Sequence, residues 1–331
     1  MKLRVLIPLV LQLAACGGMG PAPASGDGAP AKLSAAYSNV GADHMPGWIA
    51  KDAGIFLKNG LDVNLQLGGG GTKTAAALLA GDFQLVEMGG SETAAAAAGG
   101  ADVLIVAAPS QVYIYKIIAR RELSSLADLK GKKMAISSTG GSSDIAARVV
   151  LRRAGLEPNK DVTLMAIGDA TTRQAAMLNG AVDAEVEGPP GSNKVESDPK
   201  FRVLVDLTAE GLPAANAVVA GQRSWINANR PLVQRYVDSI MQGAARAKRD
   251  RDFTIAVIKK YNGIDDEQGL QIAYDFFKNA VTERPLPKLE QFKDGLDVLS
   301  EINPRLKGFD VSRIIDDSFV KNALERGVDT G

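Results

Sequence analysis

One recurring unit constrains this chain more than any other feature: a short apolar run, a loop of glycine and small polar residues, then an amphipathic helix. Its fullest form is Gly131 to Leu156, GKKMAISSTGGSSDIAARVVLRRAGL. Met134 to Ile136 reads as a buried strand and Ser137 to Ser143 as a loop of small residues. Ile145, Ala146, Val149, Val150 and Ala154 then recur at helical spacing, which leaves Arg148, Arg152 and Arg153 facing away. Ser142 or Ser143 suits the N-cap, Asp144 the first turn, and Gly155 the left-handed residue that ends a helix. A glycine-rich approach to a helix start offers free N–H groups and a positive dipole end, a ready site for an anion or a polar ligand head. The same residues also make an ordinary tight turn, and the loop alone does not choose between the two.

The unit repeats from Lys32 onward. Strands are expected at Leu33–Tyr37, Leu61–Leu67, Phe83–Met88, Val103–Ala107, Tyr113–Ala119, Val162–Ile167, Val182–Val186 and Val203–Leu207, with helices between most of them. The stretch from Gly71 to Phe83 parallels that from Ala170 to Val182, pairing Thr72 with Thr171, Leu79 with Leu178 and Gly81 with Gly180. The match is either a coincidence of alanine-rich sequence or a sign of two related α/β halves; the alternation of strands and helices implies a mostly parallel sheet with ligand loops at the strand C-termini. Past Gly211 the pattern turns helical. Pro231 opens a helix whose stripe is Leu232, Val233, Tyr236, Val237, Ile240, Met241 and Ala244.

The N-terminus reads as a secretory signal: Lys2 and Arg4, an apolar run from Val5 to Leu13, then Leu13-Ala14-Ala15-Cys16, which resembles a bacterial lipobox with Cys16 as the lipidated residue. Residues 1–16 are thus a leader, and 17–31, rich in Gly, Pro and Ala, a flexible tether. With one cysteine, no intramolecular disulfide is possible. Lys plus Arg and Asp plus Glu both number 38, which argues against a nucleic-acid partner. With one histidine, His44, a Ser-His-Asp or Cys-His catalytic set would have to use it, and no His/Cys zinc site can be assembled. No metal, cofactor or catalytic residue is assigned. Glu87 and Glu187 stand out as acids at strand ends.

Several segments together resemble the periplasmic solute-binding proteins of ABC importers, the group that binds sulfonates, taurine, nitrate and thiamine pyrimidine precursors. They are Ala53 to Val63 (AGIFLKNGLDV), Ala127 to Ala135 (ADLKGKKMA), Ser142-Ser143-Asp144, Met177 to Ala184 (MLNGAVDA) and Asp316 to Val320 (DDSFV). The chain departs from that group at Gln84, Glu92 and Glu187. The resemblance implies a type II two-lobe fold, with lobe one at 32–116 plus 215–331 and lobe two at 117–214. It places hinges near Lys116–Glu122 and Gly211–Val219. It implies a cleft lined by Ser38, Asn39, His44, Gly71, Thr72, Gly90, Ser91, Thr139, Gly141, Ser142, Ser143, Thr171 and Gly188, which takes a small anionic or polar organic solute (sulfonate, taurine, nitrate or pyrimidine-like). It also implies a monomeric, non-enzymatic protein that hands its solute to an ABC permease and its ATPase. Such a protein sits lipid-anchored on the periplasmic side of a bacterial membrane, or on the outer face of a Gram-positive cell membrane. Two other readings stay open: an enzyme of the same fold using cleft carboxylates, such as a lyase or dehydratase, and a sensor receptor docking on a membrane kinase. His44 either touches the ligand or holds its own loop.

Overall fold

The structure, a computed structural model, describes residues 29–189 and 191–328. The signal segment, Cys16 and most of the tether lie outside the described residues. Ten strands form two five-stranded sheets. In chain order they are β1 (Ala31–Tyr37), β2 (Leu61–Leu67), β3 (Leu85–Met88), β4 (Val103–Val112), β5 (Lys116–Arg120), β6 (Lys133–Ile136), β7 (Thr163–Ala166), β8 (Ala184–Glu187), β9 (Phe201–Asp206) and β10 (Pro213–Gln222). The first sheet runs β2-β1-β3-β10-β4 and the second β7-β6-β8-β5-β9. β1 pairs in parallel with β2 and β3, and β6 with β7 and β8, while β10 and β5 each run antiparallel to both their neighbours. Each sheet is therefore mostly parallel with one reversed strand, flanked by helices. This is the expected two-lobe α/β fold.

The repeated sequence stretches take equivalent places. Helix Gly71–Ala80 follows edge strand β2, and helix Ala170–Leu178 follows edge strand β7. The two connections between sheets are Tyr113–Tyr115 and Leu207–Leu212, and they hydrogen-bond to each other: Leu207 N–H donates to the Tyr115 carbonyl (2.9 Å) and Tyr113 N–H to the Leu212 carbonyl (3.2 Å). Both expected hinge segments instead begin strands, since residues 116–120 are β5 and 213–222 are β10. The strand β10 is a further correction, because helices were expected past Gly211. It reads Pro-Ala-Ala-Asn-Ala-Val-Val-Ala-Gly-Gln, too alanine-rich for β propensity to flag. Buried along almost its whole length between β3 and β4, it shows no apolar–polar alternation either.

The helix Ser142–Arg153 forms where expected, with two differences. Its N-cap is Gly141, without a side-chain cap bond. Arg148 does not face away: it is buried and its Nε donates to Asp144 Oδ1 at 2.8 Å. The partner one turn earlier draws the guanidinium in, since neither charge could be buried alone. Asp144 Oδ2 also accepts the Gly140 N–H (2.7 Å), and Ser143 Oγ accepts the Ser137 N–H (2.9 Å), so the loop is pinned at both ends.

Helix Lys293–Ile302 follows the last strand of sheet one yet packs on Ser142–Arg153, the helix after β6. Arg153 pairs with Asp294 (3.6 Å) and Arg152 with Glu301 across that contact. Phe292, Val298 and Leu299 are buried in a core that also holds Ile136 of sheet two, Ile145 of the helix after it, Ala36 and Val86 of sheet one, and Trp48 of helix Met45–Asp52. On the far face of sheet one, helix Arg230–Arg249 buries Val233, Tyr236, Val237, Ile240, Met241 and Ala244, most of its expected stripe. Among the described residues, no helix is long and apolar enough to cross a membrane.

That helix crosses Met45–Asp52 at Gly243, where an added Cβ would overlap the Pro46 carbonyl oxygen. Helix propensity alone favours Gly243→Ala by about 1 kcal/mol. Overpacking against backbone costs about 1–3 kcal/mol. Gly243→Ala should therefore lower the melting temperature, and an equal or higher value would show that the two helices separate freely.

Candidate functional site

The loop after β1 folds back through the turn Ala42–His44 and buries two ionisable side chains, Asp43 and His44, beneath the ends of β1 and β3. His44 Nε2 lies 3.1 Å from Ser38 Oγ and 3.5 Å from Asp43 Oδ2, and its Nδ1 lies 3.6 Å from Glu87 Oε2. Tyr236 donates its hydroxyl to Glu87 Oε1 (3.2 Å), and Asn216 of β10 donates Nδ2 to Asp43 Oδ2 (3.0 Å). Burial pushes the Asp43 and Glu87 carboxyls up, with His44 pulling each back. Burial pushes His44 down, but Asp43, Glu87 and Glu92 outweigh it, so the imidazole holds its proton more firmly than usual.

Ser38, His44 and Glu87 stand in the order of a hydrolytic triad, but the surroundings do not serve one. The hydroxyl is buried. Of the N–H groups in its loop, Ser38 N–H donates to the Glu87 carbonyl (2.9 Å) and Gly41 N–H to Asn39 Oδ1 (2.7 Å). The array acts as a frame that orients His44 and Asp43.

Beside this frame, the Glu92 carboxyl sits where three helices begin. They are Gly71–Ala80, Gly90–Ala98 and, from the other sheet, Ser142–Arg153. A Cβ on Gly71 or Gly89 would overlap its oxygens, and one on Gly141 would come within 3.3 Å. At Gly71 and Gly89 the carboxyl occupies the space a side chain would need, whereas at Gly141 Ser138 Oγ is nearer. Ser91 Oγ donates to Glu92 Oε2 at 2.6 Å. Burial raises the Glu92 pKa, opposed by Ser91, by its own backbone, and by the N–H and hydroxyl of Ser142. Glu92 lies in the helix after β3 of the first sheet and Ser142 in the helix after β6 of the second, so this carboxyl joins elements of both sheets.

On the second sheet, Arg173 pairs with Glu187, whose Oε1 also accepts the Gly188 N–H (3.0 Å). Glu185, two residues earlier on the same strand face, is fully buried with neither oxygen hydrogen-bonded, and burial pushes it up to about 8. Tyr115, in the first crossover, stands amid Asp43, Glu187, Glu92 and Arg173. Burial first, then the three acids, hold its hydroxyl well above the usual phenol range. A cavity of about 20 Å³, room for a single water, lies between Ser91, Ser142, Asn216, Tyr113, Gln291 and Phe292.

The expected cleft residues divide. Ser38, His44, Gly71, Ser91, Gly141 and Ser142 gather around His44 and Glu92. Gly90 abuts Ala215 and Phe292, and Gly188 abuts the Ile114 carbonyl, so both pack against the crossover region. Ser143 is engaged by Ser137, and Asn39 closes its own turn. Thr72, Thr139 and Thr171 are exposed. Trp48 is wholly buried, stacked on Tyr261 at 4.7 Å, and lies in the core. Asp43, Asn216, Tyr115 and Arg173 were missed. Only Asn216 gave a signal: an amide inside an alanine and valine run has to find a partner.

Residues 41–252, more than half of the chain, match the family described as NMT1/THI5 like. Bacillus subtilis (strain 168) YtlA, whose name describes a candidate binding protein, is 20% identical over 75% of this chain and 76% of its own length. The periplasmic aliphatic sulphonate binding protein SsuA from Escherichia coli superposes with a TM-score of 0.72 at 22% identity, over 87% of this chain and 92% of that one. The periplasmic nitrate-binding protein NrtA from Synechocystis PCC 6803 does so at 0.69 and 13% identity, over 89% of each. At these identities the two structures establish a shared fold.

Proposed function

Because the chain belongs to the NMT1/THI5-like family, we propose that it is the solute-capturing component of an ABC importer. It holds a small polar organic solute between its lobes and delivers it to a permease driven by an ATPase, without catalysis of its own. The observation that supports this most is the meeting of Glu92 from one lobe with Ser142 from the other, beside a buried polar frame. Loops after the strands of both sheets converge there, the common place for ligands in open α/β sheets. Ser38, His44, Ser91, Gly141 and Ser142 are the residues that meet the solute in this reading. The sulfonate and nitrate binders among the structural neighbours support a small polar solute.

Capture requires opening. Dyes on cysteines introduced at the exposed positions Thr72 and Thr139, in a Cys16→Ser background, should report a range of interlobe distances. That range should narrow toward the shorter value when the low-molecular-mass extract of the producing cells is added. One fixed distance, unmoved by the extract, would sink the capture reading.

We also infer that Cys16 carries a lipid that tethers the protein to the periplasmic side of its membrane, on the strength of Leu13-Ala14-Ala15-Cys16 after a basic and apolar leader. The wild-type protein should fractionate with membranes and bear lipid mass, while Cys16→Ser should appear in the soluble fraction. Identical fractionation, with no lipid on the wild type, would contradict the anchor.

A further inference from the structure

Three carboxyls, from Asp43, Glu87 and Glu92, share the buried site with one imidazole. Arg173, whose charge reaches Tyr115 beside this site, is paired with Glu187. His44 stands directly against Asp43 and Glu87 and acts least on Glu92, which makes no ion pair among the described residues. The buried polar atoms without hydrogen bonds in this site are Asp43 Oδ1, Glu87 Oε2, Asn216 Oδ1 and His44 Nδ1. The first three are acceptors, and the fourth faces one of them. Asn216, which bears one of these acceptors, lines the small cavity with Ser91 and Ser142.

The donors that would receive an anion are already engaged. The helix starts at Gly71, Gly90 and Ser142 close around the Glu92 carboxyl, and Ser91 and Ser142 face it. An incoming sulfonate or nitrate would have to expel the Glu92 carboxyl from the helix starts and then sit beside that displaced charge in a region shielded from water, where like charges repel strongly.

Resting on the capture reading above, we propose that the solute carries a cationic nitrogen with N–H donors, that is, a protonated amine, amidine or guanidine, received by Asp43, Glu92 and Asn216. Its charge is opposite to that of the sulfonates and nitrate bound by the structural neighbours. The N–H groups supply donors to the orphaned acceptors, and the positive charge balances the surplus carboxyl. Binding a bare anion would leave both unanswered.

The test is a melting and calorimetric titration of the whole protein against agmatine and putrescine, choline (charged but without N–H), methanesulfonate and nitrate. It is paired with mass spectrometry, in both polarities, of solutes released by denaturing protein purified from the cells that make it. The expected result is a released nitrogenous cation or stabilisation by agmatine or putrescine, with no response to methanesulfonate or nitrate. Asp43→Asn and Glu92→Gln, each checked for an intact melt, should weaken that binding by about tenfold or more. Binding of methanesulfonate or nitrate, choline equal to the amines, or release of an anion or a compound without basic nitrogen would overturn the proposal and leave solute capture standing. No released solute and no response to any probe would overturn both.

Discussion

The two lobes depend on one contact: the carboxyl of Glu92 where three helices begin. A helix start leaves N–H groups without partners and carries the positive end of the helix dipole. Three such ends directed at one point need an acceptor between them. Here the chain supplies its own from the second residue past Gly90, and glycines at 71 and 89 leave room for it. Two of the helices belong to one sheet and the third to the other, and the N–H groups of Glu92 and Ser142 both bond this carboxyl, so one acceptor serves a helix of each lobe.

The remainder of the cleft follows from that closure. Helix Lys293–Ile302 leaves the first lobe and packs on Ser142–Arg153, so the helix whose start meets Glu92 is also held along its side. The crossovers Tyr113–Tyr115 and Leu207–Leu212 bond to each other and place Tyr115 and, just beyond, Asn216 at the base of the cleft. Opposite them, the Tyr236–Glu87–His44–Asp43 array fixes the one histidine from behind. The whole chain thus converges on a small, acid-rich polar space.

Much of the fold was legible because the βα unit announces itself. Gly81 and Gly180 end matching helices, and Leu61–Leu67 is a strand with the bounds its alternation implies. The strand β10 was not legible, because alanine has little preference for strands and a strand buried on both faces has no alternation. Arg148 was misplaced because helical periodicity treats every arginine as a surface residue, whereas Asp144 one turn away makes burial tolerable. The loops of the site were readable from Gly and Ser at strand ends, and Glu87, Glu92 and Glu187 stood out as unusual acids. Their meaning was hidden, since no local pattern tells that an acid from one lobe will occupy the helix start of the other.

If the Glu92 carboxyl is the acceptor that the three helix starts require, removing it should open a site for an external anion. The direct measurement is the melting temperature of wild type and Glu92→Ala across a sulfate titration, with chloride holding ionic strength constant. The account predicts that sulfate raises the melting temperature of Glu92→Ala saturably and leaves the wild type unmoved. A wild type that responds as strongly as the variant, or a variant that ignores sulfate, would contradict it.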